Sequence, residues 1–296
     1  MQEKETTDLT KRHFTRQQSI IVNAPYALSL AEIDIVLTLL TAIHKEDKDF
    51  KDYVFTIKDL EAKTNRQWNS RQLKDTVKSL MSKPLELPKE DGSKGWSVVA
   101  WFSFFEYSKN GLITCRFDKR LKPYFLDIQG RYILGDIRHL LPMKSSYSKR
   151  VYLLLKEYQR FGTRKFEVEE LMGVLKVPKS LLNYADFKRK VLKRSETDIN
   201  KFTDLKVNFT ENKVGRKVQS ITFHLKKNDE DLKTFVLMVK GQFINTDLLH
   251  TKEGKTVRCG EDGKLYFKEN GETIESKERE RYWSHMHEHR DRFFLS

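Results

Sequence analysis

The chain has 296 residues, of which 38% are hydrophobic and 33% charged, and its 56 Lys and Arg exceed its 42 Asp and Glu to give a formal charge of +14. No apolar run approaches the roughly 20 residues of a membrane span, and the segment from Met1 to Gln18 lacks the apolar core of a signal peptide. Two widely spaced cysteines make neither a disulfide framework nor a zinc site. We therefore expect a soluble cytoplasmic protein with no membrane contact, metal or cofactor.

The positive charge is unevenly distributed along the chain. Residues 232–296 carry 12 basic and 11 acidic side chains, so residues 1–231 hold +13 of the net charge. A surface of one sign attracts a polyanion. The charge predicts a nucleic-acid partner for residues 1–231, and a generic basic soluble protein is the alternative.

The first predicted unit begins with a helix. Ser29 and Glu32 have the spacing of a capping box, and apolar residues then recur at helical spacing as far as Ile43. A short strand at 54–57 and a short helix at 58–63 follow. This order of elements is typical of a helix-turn-helix domain.

The next helix is the first candidate DNA reader. Asn69 or Ser70 caps it, and Pro84 stops it just after Ser82. Its apolar side chains fall on one face, and three cations fall largely on another, namely Arg71, Lys74 and Lys78. A solvated helix surface is an equally good interpretation of these three side chains.

Strands at 85–87, 98–107 and 112–117 complete the first unit. Asn110-Gly111 predicts a tight hairpin turn because both positions tolerate positive φ. Five aromatic side chains in this region are expected in the core or at an interface rather than stacked on bases: Trp96, Trp101, Phe102, Phe104 and Phe105. A dimer face is one such interface.

The second unit repeats this order. A helix at 145–161 ends at Gly162, and a strand at 166–168 and a short helix at 169–174 follow. Asp186 or a nearby residue opens a long helix that runs to about Phe202. Two alternating strands then form a wing. The repeat predicts an α+β fold of two tandem winged helix-turn-helix domains.

The long helix and its wing are the second candidate reader. Five cations crowd seven residues of the helix, namely Lys188, Arg189, Lys190, Lys193 and Arg194. Like charges this close repel, so the cluster predicts an anion that neutralises it. An acidic protein surface would serve, but a helix fits the width of the DNA major groove. The wing tip at 212–217, with Lys213, Arg216 and Lys217, suits phosphate or minor-groove contact, and a plain solvated loop is the alternative.

A series of short motifs runs through both units, and none is specific alone. They are Gly111-Leu112-Ile113-Thr114, Asp118, Leu121-Lys122-Pro123-Tyr124-Phe125, Ser146-Tyr147-Ser148-Lys149-Arg150-Val151-Tyr152-Leu153-Leu154, Val177-Pro178-Lys179-Ser180, Asp186-Phe187-Lys188-Arg189-Lys190 and Gly215-Arg216-Lys217. In this order and spacing, over residues 20–226, they resemble the winged-helix initiators of theta-type plasmid replication, which bind directly repeated origin sites called iterons.

The resemblance implies roles for particular residues. The second unit would make most base contacts, through Lys188, Arg189 and Lys190 with Asn183 one turn earlier. Only Arg189 can make a planar fork to guanine, so Lys188 would mainly anchor phosphate. The first unit would bind the other end of the site and form a dimer. Monomers would open the origin, dimers would repress the initiator's own promoter, and the host helicase and the host initiator ATPase would be partners.

These observations predict four segments: a flexible N-terminal segment at 1–19, a first winged-helix domain at 20–143, a second at 144–228, and an extension of unknown role at 229–296. Within the extension, 235–244 reads as a strand or amphipathic segment, the glycines as hairpin turns, and 275–292 as a charged helix.

Two other functions remain open. One is a dimeric transcriptional repressor with no replication role. The other is a metal-dependent nicking enzyme, since such enzymes hold a metal with two histidines around an apolar residue, as in His285-Met286-His287. That site needs a strand followed by a helix bearing a nucleophilic tyrosine, whereas this motif falls in a predicted helix with no tyrosine after it. With no phosphate-binding Gly-rich motif either, we expect a protein without enzymatic activity.

Overall fold

The computed structural model describes residues 6–9, 12–44, 46–89, 93–108, 110–128, 132–228, 247–250, 254–260, 262 and 264–288. The chain forms two compact units, Met1–Lys226 and Lys227–Ser296. Among the described residues, no helix is both long enough and apolar enough to cross a membrane.

The first half of the larger unit contains the following elements: β1 (Phe14–Gln18), α1 (Ser19–Asn23), α2 (Leu30–Leu40), β2 (Tyr53–Thr56), α3 (Ile57–Thr64), α4 (Ser70–Met81), β3 (Leu85–Pro88), β4 (Trp96–Val99), β5 (Phe102–Tyr107), β6 (Leu112–Phe117), α5 (Lys122–Phe125), β7 (Tyr132–Asp136) and α6 (Ile137–Leu140).

The second half contains α7 (Ser146–Lys156), β8 (Thr163–Glu167), α8 (Val168–Val174), β9 (Leu205–Val214) and β10 (Lys217–Lys227). Between α8 and β9 lies one long helix, α9, built from Tyr184–Phe187, Lys188–Leu192 and Lys193–Phe202. Helix α7 ends at Lys156, five residues before the predicted 161. Gly162, with a positive φ of 73°, ends a separate 3-10 turn at Gln159–Phe161 and not the helix itself.

The two halves share one architecture, as predicted. In each, a helix, a strand and two helices lead into an antiparallel hairpin, and the sheet orders β2-β6-β5 and β8-β10-β9 correspond. In each of these sheets the first strand pairs with the second strand of the hairpin, for example Tyr53 opposite Cys115 and Phe166 opposite Ile221. The α+β fold of two tandem winged-helix domains is confirmed. The β3–β4 hairpin is an insertion in the first domain.

Helix starts follow the predicted capping chemistry. The Ser29 hydroxyl accepts from the Glu32 amide at 3.3 Å, and the Glu32 carboxylate accepts from the Ser29 amide at 2.6 Å. Asn69 caps α4 by accepting from the Gln72 amide at 2.8 Å. These bonds satisfy amides that have no partner within the helix, which fixes where each helix begins.

Buried charges join the two winged-helix domains inside the larger unit. Lys149 in α7 is fully buried and donates to the carboxylate of Asp34 in α2, which also pairs with Arg66 at 3.3 Å. The neighbouring Arg150 donates to the carbonyls of Val22 at 3.0 Å and Ala24 at 2.8 Å. Because a buried charge is costly unless it is paired, these contacts hold the domains to each other.

Arg150 also contacts one further residue in each domain. Its guanidinium lies 3.5 Å from the centre of the Tyr26 ring and donates to the Val174 carbonyl at 3.3 Å. The sequence motif that contains Lys149 and Arg150 is thus a structural joint. These two cations are not a surface feature.

The prediction of a flexible N-terminal segment at 1–19 is wrong for Phe14–Gln18. Phe14–Gln18 forms a strand that pairs antiparallel with β7, with Phe14 opposite Asp136. Its buried positions are polar, Thr15 and Gln17, so no apolar alternation marked it in the sequence. The predicted strand at 166–168 likewise begins earlier, at Thr163, and ends at Glu167.

The smaller unit contains β11 (Asp247–His250), β12 (Thr256–Cys259), β13 (Leu265–Phe267) and helix α10 (Ser276–Glu288). The strands form one antiparallel sheet, and its core includes Cys259, Trp283 and Met286. The helix predicted over 275–292 is confirmed for its described part. The segment predicted at 235–244 lies outside the described residues.

Candidate nucleic-acid interface

Helix α9 begins at Tyr184, two residues before Asp186. Asn183 precedes it as the cap, and its side-chain oxygen accepts from the Ala185 amide at 2.9 Å. Phe187, Val191 and Ile199 form its buried side. Asn183 therefore has a definite structural role in starting the helix, in addition to its predicted contact with DNA.

A π turn at Lys188–Leu192 widens α9 within the predicted reading segment. The Lys193 amide donates to the Lys188 carbonyl, so the helix accommodates one extra residue there. The sequence signal is that Val191 and Leu192 are adjacent and both buried. Insertions of this kind are frequent at functional sites, and here the insertion coincides with the basic cluster.

Carboxylates of the protein itself pair with all five cations of the basic cluster, a feature that the sequence interpretation missed. The pairs are Lys188 with Glu211 (2.6 Å), Arg189 with Asp186 (2.7 Å), Lys190 with Asp186 (3.6 Å), Lys193 with Glu196 (2.8 Å) and Arg194 with Asp198 (3.0 Å). The inference that mutual repulsion requires an external anion is therefore wrong. The signal was available in part, since Asp186 lies three and four residues before Arg189 and Lys190.

The paired cations nevertheless remain accessible. Arg189 is 73% exposed, and the other four side chains are between 40% and 56% exposed. The hydrogen bond from Arg189, with the nearby Lys190, lowers the pKa of the Asp186 carboxyl. The hydrogen bond from Lys188 lowers the pKa of Glu211. Both carboxyls are thus ionised at neutral pH, and the surface presents cations held in ion pairs.

The wing is held to the rest of the second domain at two points. Glu211 in β9 accepts from the Tyr184 hydroxyl at 2.8 Å as well as from Lys188, which ties the wing to α9. Lys217 in β10 pairs with Glu169 of α8 at 2.8 Å. At the tip, Gly215 takes a positive φ of 60°, which a tight turn requires.

The three cations predicted at the wing tip, Lys213, Arg216 and Lys217, are all exposed. Lys217 is held by its pair with Glu169, and Lys213 contributes to lowering the pKa of Glu211. Arg216 forms no ion pair with the part of the chain that the structure describes. The tip thus combines one unpaired guanidinium with two cations close to carboxylates.

Helix α4 of the first domain differs from α9 in its electrostatics. Its buried side is formed by Leu73 and Leu80, and Arg71, Lys74 and Lys78 are exposed. None of these three cations forms an ion pair with a described residue. The two predicted readers therefore differ, because α4 presents free charge and α9 presents charge that is already paired.

The five aromatic residues predicted in the core or at an interface divide between the interior and the surface. Trp101 and Phe102 are buried, and Phe104 and Phe105 are half-buried. Trp96, on the inserted hairpin, is 66% exposed, and Val98 two residues later is 51% exposed. These last two lie on one face of β4 and form an apolar patch.

The His285-Met286-His287 motif lies in helix α10, as predicted. Met286 is buried in the core of the smaller unit. The side chain of His287 and all of His289 lie outside the described residues. Within the described residues, no group of three His, Cys, Asp or Glu side chains is arranged to hold a metal ion.

Two family models match most of the larger unit. The model described as Initiator Replication protein, WH1, matches residues 14–156, and the one described as Initiator Rep protein, WH2, matches residues 167–225. Among solved structures, the Pi initiator protein, crystallised in complex with iteron DNA, is similar with a TM-score of 0.61 and 21% identity, over 74% of this chain and 99% of that one. Domains 2 and 3 of RctB match at a TM-score of 0.38 and 10% identity, over 73% of this chain and 92% of that one.

Proposed function

This chain belongs to the theta-type plasmid replication initiator (Rep) family, matched by both winged-helix models, and on that premise we propose that it binds repeated double-stranded DNA sites at a plasmid origin. The observation that carries the proposal is the duplication: each winged-helix domain presents an exposed basic helix beside a hairpin wing. The similar fold of the Pi initiator, which was crystallised on iteron DNA, supports it.

In the proposed complex, the first half of α9 enters the major groove, where recognition helices contact base edges. Arg189, the most exposed of its cations, reads guanine, because its planar fork matches the two acceptors of that base. Arg216 and its neighbours at the wing tip contact the backbone or minor groove. Arg71, Lys74 and Lys78 of α4 anchor the other end of the site.

Origin opening then requires binding and strain rather than catalysis. Two domains joined by buried ion pairs bind successive grooves, deform the duplex and favour melting of adjacent A·T-rich DNA. The host helicase and the host initiator ATPase are then recruited to the opened strands. We propose that the protein works in the cytoplasm and has no enzymatic activity of its own.

Footprinting on the DNA beside its coding region tests this function. Protected direct repeats next to an A·T-rich tract support an initiator, and an inverted repeat alone supports the repressor alternative. About 8 phosphate contacts would give a log–log salt dependence of binding near −7. Incubation with supercoiled origin DNA and a divalent metal addresses the third possibility, because a covalent protein–DNA adduct would show a nicking enzyme.

Arg189→Ala tests the base contact. We expect a loss of about 1–3 kcal/mol on the protected site and much less on random duplex, because a lost fork affects only the correct base. Arg120→Ala is the matched control, since Arg120 is exposed and lies outside the predicted helices and wings. Equal losses on both duplexes would refute base readout by Arg189.

We further propose that a second copy of the chain docks on the β3–β4 hairpin, giving the dimer that represses the promoter. In the described part of the chain β4 pairs only with β3, so its other edge is available to another strand. If two copies of β4 pair antiparallel about Ser97, Trp96 of each lies opposite Val98 of the other. Aromatic and β-branched side chains in such positions stabilise a sheet.

Trp96→Ser tests this dimer. We expect sedimentation to show a lower dimer fraction and binding to an inverted repeat to weaken, while binding to a single direct repeat is kept. Tyr107→Ser is the matched control, because Tyr107 is also half exposed but lies on β5. An unchanged dimer fraction in Trp96→Ser would exclude the hairpin as the contact.

A further inference from the structure

Of the four carboxylates that pair with the basic cluster of α9, two hold the three cations predicted to contact bases. Asp186 is on the first turn of α9, where one oxygen, Oδ1, lies 2.7 Å from Arg189 and 3.6 Å from Lys190. Glu211 is on the wing, where it binds Lys188 and Tyr184. A surface selected only for attraction to phosphate would not place two negative charges there, since each one repels the DNA backbone.

We propose that Asp186 and Glu211 determine specificity: they lower the affinity for random duplex while leaving the affinity for the correct site almost unchanged. The inference rests on the proposed function. In this proposal the two carboxylates discriminate between the correct site and random duplex, and the cations supply the attraction to DNA.

The number of N–H donors on Arg189 explains why the carboxylates affect binding to a random duplex more than binding to the correct site. A guanidinium has five N–H donors in a fixed fork, so Arg189 can give two to guanine and keep another on Asp186. A random duplex offers mainly phosphates. A cation that moves to a phosphate leaves its carboxylate unpaired beside the DNA, and that cost falls only on the wrong site.

Glu211 acts on Lys188 and on the wing. Its pair with Lys188 keeps that ammonium from the phosphates, which changes the role of Lys188 from the predicted phosphate anchor to a link between helix and wing. The hydrogen bond from Tyr184 fixes the same carboxylate from the start of α9. Glu211 is thus a positioning residue for the angle between wing and helix.

The test compares Asp186→Asn and Glu211→Gln with the wild type on two duplexes over a salt series. One duplex is selected by the wild-type protein from a random pool, and the other is a scrambled version of it. Asp127→Asn is the matched control, because Asp127 is an exposed carboxylate paired with a lysine in the first domain, 3.5 Å from Lys122. Thermal melts check that each variant is folded.

A freed cation that contacts one more phosphate makes the log–log salt slope on the scrambled duplex steeper by about 0.9. For a variant that binds as the wild type does at 1 M salt, this slope gives an affinity about 8-fold higher than that of the wild type at 0.1 M salt. We expect Asp186→Asn and Glu211→Gln to show this gain on the scrambled duplex and less than about 2-fold change on the selected one. The specificity ratio, which is the affinity for the selected duplex divided by that for the scrambled duplex, then falls about 8-fold. Asp186→Glu, which keeps the charge, restores most of the ratio.

Wild-type preference for the selected duplex, with an unchanged ratio in both variants, overturns this inference alone. Equal losses on both duplexes also overturn it, because they would indicate a general structural role. A wild-type protein that binds the two duplexes equally refutes the proposed function, and the inference with it. A lower ratio in Asp127→Asn as well would show a nonspecific effect of charge and overturn the inference too.

Discussion

Lys149→Met tests the buried ion cluster that joins the two winged-helix domains. The Lys149 side chain is 0% exposed and that of its partner Asp34 is 4% exposed. Removing one partner of a buried pair costs about 3–5 kcal/mol, because the remaining charge has lost its compensation. Arg66 stays 3.3 Å from Asp34, so we expect the lower end of that range, about 3 kcal/mol.

Urea and thermal unfolding measure this loss. For a unit of 150–250 residues, about 3 kcal/mol corresponds to a fall in Tm of roughly 6–12 °C. Lys165→Met is the matched control, because Lys165 pairs with Glu167 at 3.4 Å while both side chains are about half exposed. Exposed pairs contribute less than about 1 kcal/mol, so its Tm should change little.

A double variant separates the ion pair from packing. Lys149→Met with Asp34→Leu removes both buried charges and should recover most of the stability, since an apolar pair can replace a buried ion pair. Arg66, which is 34% exposed, then remains solvated. The reasoning is refuted if the single variant is no less stable than the Lys165 control, or if the double variant is less stable than the single one.

Two further predictions concern stability. Burial, with Lys63 and Arg138 nearby, lowers the pKa of His13 to about 4 from an ordinary 6.5. Folded protein then binds fewer protons, so the unfolding free energy should fall from pH 6.5 towards 4, and less steeply in His13→Gln. In Gly135→Ala, the new Cβ would lie 2.8 Å from Thr15 Oγ1, and we expect a cost of about 1–3 kcal/mol by urea unfolding. Gly173 lies on a helix, and a Cβ added there would meet no atom within 4 Å, so Gly173→Ala should raise the free energy of unfolding. Equal changes in the two variants would contradict the packing argument.

Local chemistry made much of the fold predictable. The capping box at Ser29, the cap at Asn69 and the hairpin at Asn110-Gly111 are set by residues a few positions apart, so the sequence contains all the information they need. The same holds for the order of helices and strands in both domains. Periodicity of 3.6 or 2 residues is enough to identify such elements.

Contacts between distant residues were not predictable in the same way. Strand β1 buries Thr15 and Gln17, so its pairing with β7 has no apolar pattern. Lys149 and Arg150 are charged residues in a helix, and only tertiary contacts show that they are buried. At the candidate site, the five cations of α9 were identified from the sequence, but Glu211 reaches one of them, Lys188, from β9, 23 positions further along the chain.

The guanidinium of Arg150 has a consequence for biosynthesis. It satisfies carbonyls of Val22 and Ala24, which a ribosome releases well before residue 150 emerges. On a nascent chain, the first winged-helix domain therefore lacks these hydrogen bonds until the first helix of the second domain has been translated. Expression fragments should accordingly end after Lys226, because a cut near residue 143 would leave those oxygens without their donor and would remove Lys149, one of the two partners of Asp34.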